Sequence, residues 1–258
     1  MKRAVLFVVA FIVLVLVVPS VVLAAMTFGG MKELVDGTEL PGGARLVKDG
    51  YVAIAVIPAG DAAVALIDCG NDPNGVAIMT ELQRRGLAPD AVKAIFLSHG
   101  HPDHVAGCHL FGSAQVLALP QDIPVAEGTG RSKGPLPSMF DTPADKRTKV
   151  TRPLADGETV TVGTLSVKIF ALPGHTAGSA AFLANETLYL GDSAAAGDDG
   201  KLVPAPWVFS DDTKENRRSL EALGARLKAE DAPVKKLAFA HSGPLDGLDA
   251  LATFKAQE

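Results

Sequence analysis

The sequence predicts a single domain of the α/β class. Three observations carry this. Short runs rich in Val, Ile, Leu and Ala alternate with amphipathic helical patterns. Gly, Pro, Asn and Asp mark the turns between them, and no linker divides residues 26–258.

The opening segment is read separately. Lys2 and Arg3 precede an apolar run from Ala4 to Val18, followed by Pro19, Ser20 and the small-residue ending Val21 to Ala25. Residues 1–25 are expected to be a secretory signal peptide. An uncleaved membrane anchor over residues 4–25 is the alternative, since the whole stretch is long enough to span a bilayer. Both export the remainder, to the periplasm or the extracellular space, because the two basic residues hold the N-terminus in the cytoplasm.

The elements follow in order. Tyr51–Ile57 and Ala62–Ile67, separated by Pro58-Ala59-Gly60-Asp61, are predicted to form a hairpin. Gly75–Arg85 is predicted to be a helix capped by Asn74 and ended by Gly86. Val92–Leu97 is a buried strand, Asp103–Phe111 is expected to begin a helix, and Gln115–Leu119 is a further strand. Pro120–Asp156 is rich in Pro, Gly, Lys and Asp and has little periodicity, so it is expected to be a long surface loop. An active-site lid and plain disorder are equal readings of it. Strands resume at Glu158–Val162 and Leu165–Leu172, and Ala180–Leu190 is a hairpin turning at Asn185-Glu186. Asp212 and Glu215 form a capping pair for a helix running to about Ala229. Val234–Ala240 is the last strand, and a short helical tail follows.

The formal charge of −5 becomes −7 without Lys2 and Arg3, and no basic block occurs beyond them. A nucleic-acid partner is therefore not expected, because neutralising phosphates takes clustered Lys and Arg. A small molecule is the expected substrate. Cys69 and Cys108 either pair in an oxidising compartment or serve as small buried side chains, and the second is preferred here.

Three of the six histidines fall within LSHGHPDHVAG, at His99, His101 and His104, beside Asp103. A helix would splay such neighbours and a strand would send them to opposite faces. Only a tight loop, shaped by Gly100 and Pro102, aims several of them at one point, and convergent imidazoles with a carboxylate are what a transition metal wants. His175 in LPGHTAGS, Asp192 in LYLGDS and His241 in AFAHSG each follow a predicted strand, as does Asp68 in ALIDCG. Loops at strand ends let a rigid sheet present ligands to a common centre. His109 is expected to be an ordinary surface residue.

The ordered set His99-x-His101-x-Asp103-His104, then His175, Asp192 and His241, resembles the metallo-β-lactamase-fold hydrolase superfamily, from about Gly42 to Pro244. The resemblance implies a four-layer αββα sandwich with metals at one edge. It implies that His99, His101 and His175 hold one metal and Asp103, His104 and His241 a second. Asp192 would bridge the two, with Asp68 bracing the histidine loop from behind. Two Zn2+ ions suit a set of imidazoles and carboxylates without thiolate, with iron or manganese also open. A water shared by two such ions, ionised near neutral pH, is the implied nucleophile, and Asp103 would orient it. The family's antibiotic-degrading members typically carry Cys or Ser where Asp192 stands, and Asp resembles the glyoxalase II branch, the lactonases and the phosphodiesterases. The glyoxalase II branch also carries a helical C-terminal domain, whereas only Ser242 to Glu258 follow the last histidine here, which puts glutathione thioesters in doubt. The expected activity is hydrolysis of a thioester or lactone. β-Lactam or phosphodiester hydrolysis and a non-hydrolytic iron oxidoreductase are the alternatives. Trp207 and Phe209 are expected either to line an apolar pocket wall or to anchor the following helix in the core.

Overall fold

The computed structural model describes residues 29–139 and 141–256. The signal peptide or anchor expected over 1–25 lies outside these residues. Among the described residues no helix is long and apolar enough to cross a membrane. The described residues from Lys32 onward fold as one unit.

Two sheets dominate it. In the first, β1 (Thr38–Leu40), β2 (Ala44–Asp49), β3 (Val52–Pro58), β4 (Val64–Ile67), β5 (Val92–Phe96), β6 (Gln115–Ala118) and β7 (Arg152–Pro153) lie side by side in chain order. The pairs from β1 to β4 are antiparallel and those from β4 to β7 parallel. The second sheet has the order β15 (Leu245–Asp246), β14 (Lys236–Ala238), β11 (Thr187–Tyr189), β10 (Ala180–Ala184), β9 (Leu165–Ala171) and β8 (Thr159–Val162). A small ribbon, β12 (Ala194–Ala196) with β13 (Leu202–Pro204), completes the strands of the described residues.

Side-chain alternation builds the layers. On β3, Ala53, Ala55 and Ile57 enter a core shared with Val167, Ile169 and Phe182 of the second sheet. Ile54 and Val56 point the other way, into a core with Ile78 and Leu82 of helix α1 (Val76–Arg84). Covered on both faces, β3 carries an unbroken apolar run with no period of two. The outer face of the second sheet meets Leu220, Leu223 and Leu227 of a long helix, Thr213–Ala229. Phe96 and Phe182 join the inner faces with ring centroids 5.5 Å apart. Helix, sheet, sheet, helix is the four-layer order.

Local chemistry explains the ends of these elements. Asn185 and Glu186, at φ 45° and 61°, turn the β10–β11 hairpin as expected. The Asp212 carboxylate accepts from the amides of Lys214 and Glu215, capping the long helix. Asp212→Ala is expected to cost about 1 kcal/mol, read as a lowered midpoint in urea unfolding.

Several expectations need correction. Asn74 does not cap α1: Gly75, at φ 60°, is its N-cap, and the Asp72 carboxylate accepts from the Asn74 and Val76 amides instead. The helix expected over Asp103–Phe111 is only α2 (Pro102–Val105) and then a single 3-10 turn, Cys108–Leu110. The chain between them lies against the strand end, where a Cβ on Gly107 would stand 2.7 Å from the Cys69 carbonyl oxygen. The described residues of the segment Pro120–Asp156 are not wholly superficial: they include α3 (Ile123–Ala126) and β7, and Asp122, Ser132, Thr142 and Thr148 are buried. The long helix Thr213–Ala229 is α4, and Asp249–Ala252 is α5, the short tail.

Cys69 and Cys108 form a disulfide, against the preference for separate buried side chains. The Cys69 amide donates to the His104 carbonyl at 2.7 Å and the Ala106 amide to that of Gly70 at 3.1 Å. These bonds draw the end of β4 onto α2 and set the two Cα atoms 5.2 Å apart, within bridging range.

Candidate metal centre

Five strands deliver the histidines and carboxylates. Asp68 follows β4, His99 and His101 follow β5, His175 follows β9, Asp192 follows β11 and His241 follows β14. β4 runs parallel to β5, and β11 parallel to β14. β9 and β11 are both antiparallel to β10, so they also share a direction. Each sheet therefore presents these loops at one edge, as ligand-bearing loops on a rigid scaffold require. Backbone bonds bring the two edges together: the Ala180 amide donates to the Ser98 carbonyl at 2.8 Å, and that of Ala53 to Ala240 at 2.7 Å.

Three groups of ligand atoms result, each with its members within 4.8 Å of one another: His99, His101 and His175; His99, His104 and Asp192; and Asp103, His104 and His241. His175 Nε2 lies 3.3 Å from His99 Nε2 and 3.1 Å from His101 Nδ1. The Asp192 carboxylate stands between the groups, 3.0 Å from His241 Nε2, 3.3 Å from His104 Nε2 and 3.6 Å from His175 Nε2. Asp103 Oδ2 is 3.7 Å from His241 Nε2 and 3.8 Å from His104 Nε2. All seven side chains that the sequence singled out as ligands meet here. His109 does not: it is exposed and binds the Ala106 carbonyl.

The outward-facing ring nitrogens fix how each imidazole presents itself. His104 Nδ1 is 2.9 Å from Asp68 Oδ2, and His99 Nδ1 is 3.0 Å from Ser98 Oγ, whose hydroxyl donates to the same carboxylate at 2.7 Å. Asp68 therefore steadies two histidines at once, one directly and one through Ser98. It does so from a left-handed backbone, at φ 63°. His175 Nδ1 faces Ser210 Oγ at 3.3 Å, and His241 Nδ1 faces the Tyr51 carbonyl at 2.9 Å. With protons on these outer nitrogens, lone pairs point inward. His104 Nε2 and Asp192 Oδ1 are both buried without a hydrogen-bond partner while only 3.3 Å apart. Acceptors facing acceptors in a buried site call for a positive charge between them, a proton or a metal ion.

The electrostatics distinguish the two groups. Burial and the neighbouring imidazoles hold His99 well below its ordinary value and bring His175 down to about 3, so both keep free lone pairs at neutral pH. Burial also opposes charge on His104 and His241. There the carboxylates prevail: Asp192, Asp103 and Asp68 raise His104 well above its ordinary value, and Asp192 foremost lifts His241 to about 9, so without a metal both rings carry a second, inward proton at neutral pH, which a bound metal would displace. The cluster draws positive charge, and its donor set of imidazole and carboxylate fits a zinc-like ion.

Sequence reasoning missed several supporting groups. Ser210 lies in the segment of Trp207 and Phe209, and its hydroxyl reaches both His175 and the Pro206 carbonyl. Trp207 itself is exposed and Phe209 half-buried, so Val208, not Trp207, anchors that turn in the core. Tyr51 stacks on His241, with ring centroids 5.7 Å apart and planes at 19°. Asp122 also went unnoticed, since nothing in Pro120-Gln121-Asp122 marks it out.

Residues 47–241 match the family model described as Metallo-beta-lactamase superfamily. Hydroxyacylglutathione hydrolase from Aliivibrio salmonicida is 26% identical over 155 residues, covering 60% of this chain and 50% of the relative. The Citrobacter koseri protein of the same name is 31% identical over 133 residues, covering 51% and 44%. The chain thus spans about half the length of the curated relatives it matches. A B3 metallo-beta-lactamase with an active-site glutamic acid superposes with TM-score 0.65 at 21% identity, over 90% of each chain. MEM-A1, a subclass B3 metallo-beta-lactamase isolated from a soil metagenome library, does so with TM-score 0.60 at 25% identity, over 80% of each. With the ordered histidine motifs, the four-layer fold and the edge cluster already in place, these matches establish the family: the chain belongs to the Metallo-beta-lactamase superfamily.

Proposed function

We propose that this chain is an exported hydrolase with a dinuclear metal centre, acting on a carboxylic ester-type bond, a thioester or a lactone. The observation that carries the reading is the inward convergence of imidazole nitrogens and carboxylate oxygens, with His104 Nε2 and Asp192 Oδ1 buried and 3.3 Å apart. His99, His101 and His175 would hold one ion and Asp103, His104 and His241 the other, with Asp192 between them. When bound, such a pair supplies an acidified water and an electrophile for the carbonyl oxygen.

The chain's own residues supply orientation. Asp68 and Ser98 hold the tautomers of His104 and His99, and Ser210 and the Tyr51 carbonyl do the same for His175 and His241. Asp103, 21% exposed against 0% for His104, stands at the open side, where it can orient the attacking water and take its proton. Burial and Asp103 push the Tyr51 hydroxyl up to about 12, so it remains a hydrogen-bond donor at the rim.

The thioester preference rests on the relatives named for hydrolysis of hydroxyacylglutathione, and the likeness to B3 structures over 90% of each chain favours β-lactams as the second reading. The disulfide and the basic-then-apolar start support export. Zinc is the proposed metal, with iron or manganese in its place if the cell supplies them, and anchoring by residues 4–25 is the proposed membrane contact. A panel of thioesters, lactones, β-lactams and phosphodiesters, assayed with metal-loaded protein, tests the reaction. Turnover of a thioester or lactone is expected, with kcat falling about 10²–10⁴-fold in Asp103→Ala. Turnover confined to β-lactams or phosphodiesters would refute the preference.

A further inference from the structure

Asp122 is 1% exposed and sits in the segment whose sequence shows no regular pattern. Its carboxylate is nevertheless saturated by donors from the two loops that carry His99, His101 and His175. Oδ2 accepts from the Gly100 amide at 2.7 Å and from the Thr176 hydroxyl at 2.7 Å, and Oδ1 accepts from the Gly178 amide at 2.8 Å. Gly100 lies between His99 and His101, and Thr176 adjoins His175. One carboxylate therefore spans loops that leave different sheets.

The glycines make this approach possible. A Cβ on Gly178 would stand 2.5 Å from the Asp122 amide nitrogen and 2.8 Å from Oδ1. One on Gly100 would stand 2.7 Å from the Ala126 amide nitrogen and 2.9 Å from the Asp122 carbonyl oxygen. Neither glycine has positive φ, so close packing against the Asp122 segment, and not backbone conformation, is what requires them. The hydroxyl chain is also directional. Ser179 Oγ lies 2.8 Å from Thr176 Oγ1, whose own proton goes to Asp122.

We infer that Asp122 is a positioning residue: it sets the spacing between the His99–His101 loop and the His175 loop, and so assembles the three-histidine group. The inference rests on the metal-centre reading above. A carboxylate is needed because both of its oxygens accept from backbone N–H groups. An amide offers one oxygen, and its NH2 would face the second N–H, donor against donor.

The test compares the wild-type chain with Asp122→Asn and Thr176→Val, loaded with Co2+ as a spectroscopic probe and with Zn2+ under chelator competition. The wild type is expected to bind two equivalents. Asp122→Asn should weaken one of them by about 10–100-fold, the range for loss of a group that orients a ligand. The cobalt absorption of that site should be altered while the band of the other site remains. Thr176→Val, which deletes one donor and keeps the charge, should weaken the same site by a smaller factor, and it decides the matter if Asp122→Asn does not fold. Wild-type affinity and spectrum in a folded Asp122→Asn, or in Thr176→Val should Asp122→Asn not fold, would overturn the inference alone. Absence of metal from the wild type would overturn the metal-centre reading and this inference with it.

Discussion

Asp192→Ala is expected to remove the hydrolytic activity and to strip metal from both groups of ligands. Among the described residues no other carboxylate stands within 4 Å of four histidines: its Oδ2 is 3.0 Å from His241 Nε2, 3.6 Å from His175 Nε2 and 3.8 Å from His99 Nε2, and its Oδ1 is 3.3 Å from His104 Nε2. Burial works against its charge, but His241 and His104 hold it well below the usual carboxylate range, so it is an anion at any working pH. Removing the anion leaves inward lone pairs with less negative charge to attract a cation. Losing an outer partner of a metal ligand costs about 10–100-fold in affinity, and losing this inner group should exceed that. Metal content by mass spectrometry after dialysis checks the prediction. Asp192→Asn, which keeps one oxygen and loses the charge, should fall between the two. A metal content equal to wild type in Asp192→Ala would remove Asp192 from the centre.

The second large effect concerns stability. Cys69 and Cys108 are separated by 39 positions, and opening a loop of that length returns chain entropy worth about 4 kcal/mol to the unfolded state. Cys69→Ala with Cys108→Ala should therefore lower the unfolding free energy by about 2–5 kcal/mol. For a chain of this size that is a Tm roughly 4–20 °C lower. The bridge also ties Cys69, the neighbour of Asp68, to the turn that follows the helix of Asp103 and His104, so the double variant should lose metal more readily than its folded fraction alone explains. Thermal unfolding of the oxidised, reduced and double-alanine forms measures this. Equal Tm values for all three would show that the bridge does not stabilise the chain.

Much of this fold is written in local patterns. The Asp212 cap, the turn at Asn185-Glu186 and the apolar runs that become β3, β4 and β5 each follow from chemistry within a few residues. The ligand histidines were legible for a related reason: side chains of unusual type recur directly after strands, and a sheet edge gathers such positions. Asp122 was not legible, because its partners include the backbone amides of Gly100 and Gly178, which leave no compositional trace. Ser210 was hidden in the same way, since only the packing of the Trp207–Phe209 turn brings its hydroxyl to His175. The disulfide depended on the register of β4 against α2, a tertiary property, and two cysteines alone could be read either way. Pro120–Asp156 departs from a surface loop because its Pro and Gly residues do not mark exposure. Here they punctuate short helices folded against the histidine loops.

Anomalous diffraction at the zinc edge, from crystals of the protein purified without chelator, tests the central claim most directly. Two peaks are predicted, one bounded by His99, His101 and His175 and the other by Asp103, His104 and His241, with the Asp192 carboxylate reaching both. No peak within this ring of side chains, at the zinc, iron or manganese edge, would contradict the account.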